Sequence, residues 1–237
     1  NPSVGALARF IAAGVPGAEI TAGQLAMEAE LPVEIRPSAG GKVAEAPVRA
    51  VLLTGATGFL GAYLLDQLLA QTGAQVFCLV RATDEAAAGR SLRRAMERHG
   101  LWREDRARRI VALAGDLTLP SLGLGESSFC ELAATVDAVY HCGAQVNLLY
   151  PYEALRAANV GGTLEVLRFA VQGRTKTVHH VSTLSVLERS GPPPESALFV
   201  NQPPNPGMPV RRIHFAWQLL IRPTAPSAMY SIIAQLS

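Results

Sequence analysis

Lysine is almost missing from this chain: Lys42 and Lys176 are its two lysines in 237 residues. Any chemistry that needs an ammonium group falls to one of those positions. Cysteine is also sparse and odd in number. Cys78, Cys130 and Cys142 lack metal-ligand spacing, which argues against a bound metal. Cys78 and Cys142 lie in apolar, strand-like stretches, where a thiol behaves as a small hydrophobe, and this suggests a reducing compartment. No secretory leader opens the chain, and no apolar run approaches the roughly 18 residues that cross a bilayer. The expectation is a cytoplasmic protein without a membrane role. Charge of either sign is short too: a formal net charge of +2 is too small to argue for nucleic acid. The exception is local, with nine arginines against five acids between Arg81 and Arg109. Most of these read as a solvated basic helix face.

What the chain does have is the run Val51-Leu-Leu-Thr-Gly-Ala-Thr-Gly-Phe-Leu-Gly61. A short apolar strand leads into glycines spaced G-x-x-G-x-x-G, and an amphipathic helix (Leu60, Leu64, Leu65, Leu68, Leu69) follows at once. Strand, glycine turn and helix in that order predict a dinucleotide site. The turn lets the backbone approach a pyrophosphate, and the helix N-terminus offers unpaired N–H groups to it. Thr54, Gly55, Thr57, Gly58, Phe59, Leu60 and Gly61 are the expected contacts.

Apolar strands then alternate with helices. Strands are expected at 49–54, 75–80, 110–114, 137–141 and 176–182, with helices to about Gln71 and over 84–99 and 151–172. Near-continuous apolar strands separated by helices imply a parallel sheet covered on both faces, an α/β doubly wound Rossmann architecture. Nearly half of the residues are apolar (49%), enough for a substantial core. Residues 1–14 read as the end of a helix and 15–48 as a linker. Residues 49–190 read as the nucleotide-binding domain, and 191–237 as an irregular segment holding nine of the sixteen prolines.

Ligands of such sheets bind beyond the carboxyl ends of the strands. Arg81 follows the second strand where an NAD site usually has a carboxylate. A cation there suits a 2′-phosphate and predicts NADP(H), with Arg90 as a second contact; an ordinary surface arginine is the alternative. Asp116 and Leu117 end the third strand and either border the adenine or, for Asp116, cap a turn. Cys142, Gly143 and Ala144 end the fourth strand, where small residues let the central phosphates and nicotinamide ribose pass. His141 reads as structural, and His179-His180 as packing. Ser182 and Thr183 end the fifth strand, where a hydroxyl can donate to a carbonyl under reduction. Asn159 either holds a water or backbone group in a proton relay or is a buried polar residue with its own partner.

Taken together, Leu53–Gly61, Leu79-Val-Arg81, Gly115-Asp-Leu117, His141-x-x-Ala144-x-Val-Asn147, Asn159-Val-x-Gly-Thr163 and Val181-Ser-Thr183 resemble the thioester reductase domains of the extended short-chain dehydrogenase/reductase family. Those domains terminate nonribosomal peptide and polyketide synthetases and carboxylic acid reductases. Asn1-Pro-Ser-Val-x-Ala-Leu7 resembles the last helix of a carrier domain, and Leu31-Pro-x-x-Ile-Arg-Pro37 the linker that follows it. The resemblance implies NADPH-dependent reduction of an acyl or peptidyl thioester, held on the phosphopantetheine of an upstream carrier, to an aldehyde or further to an alcohol. It implies Thr183 as the active-site hydroxyl. The family completes its site with Tyr-x-x-x-Lys, and neither lysine here follows a tyrosine by four residues. With the substrate subdomain also lacking, the expectation for 191–237 is a truncated or frame-shifted segment. A non-catalytic NADP(H)-binding module and a nucleotide-sugar epimerase or dehydratase remain as alternatives.

Overall fold

Alternation within the first strand sets up a two-sided sheet. All five residues of β1 (Ala50–Thr54) are buried. Successive side chains point to opposite faces. Val51 and Leu53 join a core with Leu65, Val76, Leu92 and Met96, whereas Leu52 enters a second core with Phe129, Val139, Phe169 and Val178. The computed structural model describes residues 21–28, 30–36, 48–147 and 150–182. The segments read as a carrier-domain helix (1–14) and as a disrupted proline-rich tail (191–237) lie outside the described residues.

The remaining strands are β2 (Gln75–Val80), β3 (Ile110–Ala114), β4 (Ala138–His141) and β5 (Thr177–His180). All pairings are parallel, in the order β3-β2-β1-β4-β5. The order reverses between β1 and β4, and a crevice opens at such a switch. Asp137 anchors that junction from the other edge, accepting from the backbone N–H groups of Arg49 (2.7 Å) and Ala50 (2.9 Å).

One face carries α2 (Phe59–Gln71) and α3 (Glu85–Arg98), and the other α4 (Glu126–Thr135) and α6 (Gly162–Val171). Asp84 caps α3 by accepting from the Ala87 N–H at 2.7 Å. Three features depart from the sequence expectation. The helix α4 went unseen because it buries only Phe129, Leu132 and Ala133 and starts from a glycine- and serine-rich stretch. The helix expected over 151–172 is broken: α5 (Tyr152–Arg156) passes into a π-helical turn at Ala157–Gly161 before α6 begins. The expected linker 15–48 contains α1 (Ala22–Glu28). Its Glu28 bonds the Tyr152 hydroxyl and pairs with Arg156 at 2.6 Å, so part of that segment lies on the domain through α5.

Candidate dinucleotide-binding site

At Gly55 the chain leaves β1 with φ +76°. A Cβ there would stand 2.7 Å from the carbonyl carbon and oxygen of Cys142 and from the Gly143 nitrogen. The turn is therefore pressed against the segment leaving β4. At Gly61 a Cβ would sit 2.1 Å from the Gly55 carbonyl oxygen, so α2 packs down on the turn itself. Gly58 faces outward, and its nearest neighbour to such an atom is the Gly55 oxygen at 3.3 Å. It caps α2 without any side-chain hydrogen bond. The first N–H groups of a thirteen-residue helix thus open at the carboxyl edge of the sheet, beside the switch point. Unpaired N–H groups and the positive end of the helix dipole suit a pyrophosphate there.

Beneath the turn lies a buried polar cluster. Thr54 is wholly buried, and its hydroxyl lies 2.6 Å from His141 Nδ1 and accepts from the Gly143 N–H at 3.0 Å. The other imidazole nitrogen of His141 lies 3.3 Å from the Thr163 hydroxyl, which donates to the Asn159 carbonyl at 2.6 Å. Asn159 then turns its side chain to Gln145: Oδ1 accepts from the Gln145 N–H at 2.7 Å and Nδ2 donates to its carbonyl at 3.0 Å. Of the two readings open for Asn159, the geometry displays the buried polar residue with a backbone partner. Thr54 likewise spends its hydroxyl inside the protein, so its action on any ligand passes through Gly143. Burial first, and the nearby His180 ring second, hold His141 down at about 3, which keeps it neutral.

The adenine end is built differently. Asp116 Oδ1 accepts from both the N–H and the hydroxyl of Thr118 at 2.8 Å, the turn-capping alternative of the sequence reading. Leu117 sits between two glycines: a Cβ on Gly143 would meet its Cδ1 at 2.7 Å, and one on Gly162 its Cβ at 2.9 Å. Arg81 directly follows β2 and Arg90 lies on α3, both exposed. The Phe59 ring is 55% exposed and packs with Tyr63 and His99 at centroid distances of 5.0 and 5.5 Å, so what it offers the turn is its backbone. Thr57 and Leu60 lie in and just after the turn, Ala144 is exposed past β4, and Ser182 is exposed past β5. Thr183 lies outside the described residues.

Three groups with chemical potential are placed away from reaction. Burial raises the Cys142 thiol to about 12, so it is no nucleophile at neutral pH. His179 stacks on Tyr140 at 4.3 Å, and His180 packs on His141 at 5.1 Å. Lys176 is buried just before β5, at the sheet edge opposite the glycine turn, where Nζ donates to the carbonyls of Gln172 and Arg174 at 2.8 Å. It closes the end of α6 and cannot reach the crevice. Gln145, Gly162 and Thr163 were not singled out from the sequence. Their signal was the Asn159-Val-x-Gly-Thr163 spacing, which sets Asn159 and Thr163 four apart on one helical face.

Five parallel strands in this order, with a glycine turn and bare helix N-terminus at the reversal, define a nucleotide-binding domain of the Rossmann, extended short-chain dehydrogenase/reductase type. The chain belongs to the NAD-binding family described as male sterility protein, which it matches over residues 53–207. It is 50% identical over 159 residues to the linear gramicidin synthase of Brevibacillus parabrevis, covering 67% of this chain and 3% of that protein. Among solved structures it is similar to the terminal R domain of the myxalamid PKS-NRPS pathway, at 46% identity and TM-score 0.68, covering 71% of this chain and 43% of that one. The reductase domain of a nonribosomal peptide synthetase from Mycobacterium tuberculosis follows at 37% identity and TM-score 0.52, covering 70% and 38%. The chain thus spans less than half of either solved domain. Among the described residues, no helix is long and apolar enough to cross a membrane and no side-chain cluster suits a metal.

Proposed function

We propose that this chain binds NADPH, and that the enzyme it belongs to uses it to reduce an acyl or peptidyl thioester, carried on phosphopantetheine, to an aldehyde. The observation that carries the reading is the bare N-terminus of α2 on the glycine turn, with Arg81 one residue past the neighbouring strand. The N–H groups of the α2 first turn receive the pyrophosphate. Arg81, with Arg90 as second contact, neutralises the 2′-phosphate that distinguishes NADPH from NADH. Gly143 and Ala144 give the nicotinamide half close passage over the end of β4. When bound, NADPH supplies the hydride that adds to the thioester carbonyl carbon. Thr183 donates to the oxygen on which negative charge then develops, an interaction that typically contributes about 3 kcal/mol in such sites. The protonated hemithioacetal breaks its C–S bond, giving aldehyde and the carrier thiol. The similarity to synthetase reductase domains supports a carrier-bound substrate.

A second reading, a module that binds NADP(H) without turnover, is favoured by a specific observation. The family pattern needs a Tyr-x-x-x-Lys pair, and the buried Lys176 sits at the far edge of the sheet. Titration of the whole chain with NADPH and NADH, followed by an acyl-pantetheine thioester assay, separates the readings. Tighter binding of NADPH with aldehyde release supports the reductase, and binding without release supports the module. Tighter binding of NADH, or no binding, overturns the cofactor assignment.

A further inference from the structure

The polar cluster under the glycine turn has one self-consistent proton arrangement. The Thr163 hydroxyl spends its proton on the Asn159 carbonyl, so its oxygen must accept from His141, and the imidazole proton lies on Nε2. Nδ1 is then an acceptor and takes the Thr54 hydroxyl proton, leaving the Thr54 oxygen to accept from the Gly143 N–H. From Asn159 the side chain returns to both backbone groups of Gln145. Gly143 and Gln145 are two residues apart, so the bonds close into a ring. It runs from Gly143 through Thr54, His141, Thr163 and Asn159 to Gln145. The π-helical turn at Ala157–Gly161 belongs to it, because it carries both Asn159 and the carbonyl that Thr163 needs. Leu117 and Gly55 stop the same backbone sterically from two other sides.

We propose that this ring is a positioning device for the backbone at 143–145, and that His141 and Thr163 tune dinucleotide affinity through it without touching the ligand. The proposal rests on the dinucleotide reading of the site. Both ends of the held segment are fixed by directional bonds, and every donor and acceptor in the ring has one assignment. Removing one member therefore frees a backbone amide several residues away, which an isolated packing role would not do.

The test uses the whole chain with Thr163→Val and Thr163→Ser, read in two ways. Amide hydrogen exchange without cofactor reports the ring, and NADPH titration reports its consequence. For Thr163→Val we expect exchange at Gly143 and Gln145 to rise about tenfold and the NADPH dissociation constant to rise by a similar factor, the worth of one lost hydrogen bond. Thr163→Ser, which restores the hydroxyl, should recover most of both. Thr54→Val and Thr54→Ser repeat the comparison from the other side of His141, should the first valine variant unfold. Wild-type binding with unchanged exchange or unchanged affinity in the valine variants overturns the proposal. Failure of the wild-type chain to bind NADPH at all overturns the dinucleotide reading instead.

Discussion

Replacing Gly55 by alanine applies two separable penalties, and four glycines of this domain allow them to be told apart. Gly55 has both a left-handed backbone and no room: φ is +76°, and a Cβ would meet Cys142 and Gly143 backbone atoms at 2.7 Å. Gly100 has the backbone alone, with φ +68° and nothing within 4 Å. Gly61 has the crowding alone, with the Gly55 oxygen at 2.1 Å, and Gly89 in α3 has neither. Left-handed backbone costs an ordinary residue about 1–2 kcal/mol, and forced overpacking about 1–3 kcal/mol. Gly55→Ala should therefore cost about 2–5 kcal/mol, against about 1–2 for Gly100→Ala. Gly89→Ala should stabilise by up to about 1 kcal/mol, because alanine is the better helix former. Urea melts of the four variants, with slopes compared to confirm the same unfolding, measure these differences. Backbone atoms on both sides of Gly55 cannot swing aside as a side chain would. If Gly55→Ala costs no more than Gly100→Ala, the close packing of the turn against the β4 exit is wrong.

Acid should weaken the fold well before carboxylates titrate. Burial holds His141 at about 3 and His179 and His180 at about 4, each below the ordinary 6.5. The unfolded chain therefore takes up protons below about pH 6.5 that the folded chain refuses. Stability should fall by about 3–6 kcal/mol between pH 7 and 5, the lower figure allowing for partial exposure of His179 and His180; stability that is level over that range refutes the assignment. Burial pushes the Asp137 carboxyl up, but its bonds from Arg49, Ala50 and Arg174 outweigh this and leave it below its usual value. Its contribution is present above pH 3.8 and lost as pH falls through the lowered value, and Asp137→Asn should cost about 1–3 kcal/mol at pH 7 in the same melts. Burial also raises both Cys78 and Cys142, whereas Cys130 is half-buried. Thiol titration of the native chain at pH 8 should label Cys130 first and the other two only after denaturant is added.

Local patterns along the chain settled the sheet, the glycine turn and the places where ligand-facing residues must lie. A strand's period of two and a helix's of 3.6 are short-range properties, readable from runs such as Val51–Gly61. The same patterns failed at α4, where three buried side chains give too weak a period, and at α1, whose attachment depends on Glu28 meeting α5 more than a hundred residues later. Only the folded chain decided that Asn159 reaches Gln145, that Thr54 serves His141 and that Lys176 closes a helix away from the crevice. Residue type fixes what a polar side chain is able to bond. Which partner it finds depends on how the crossover connections bring separate strand ends together, and that is a property of the whole sheet.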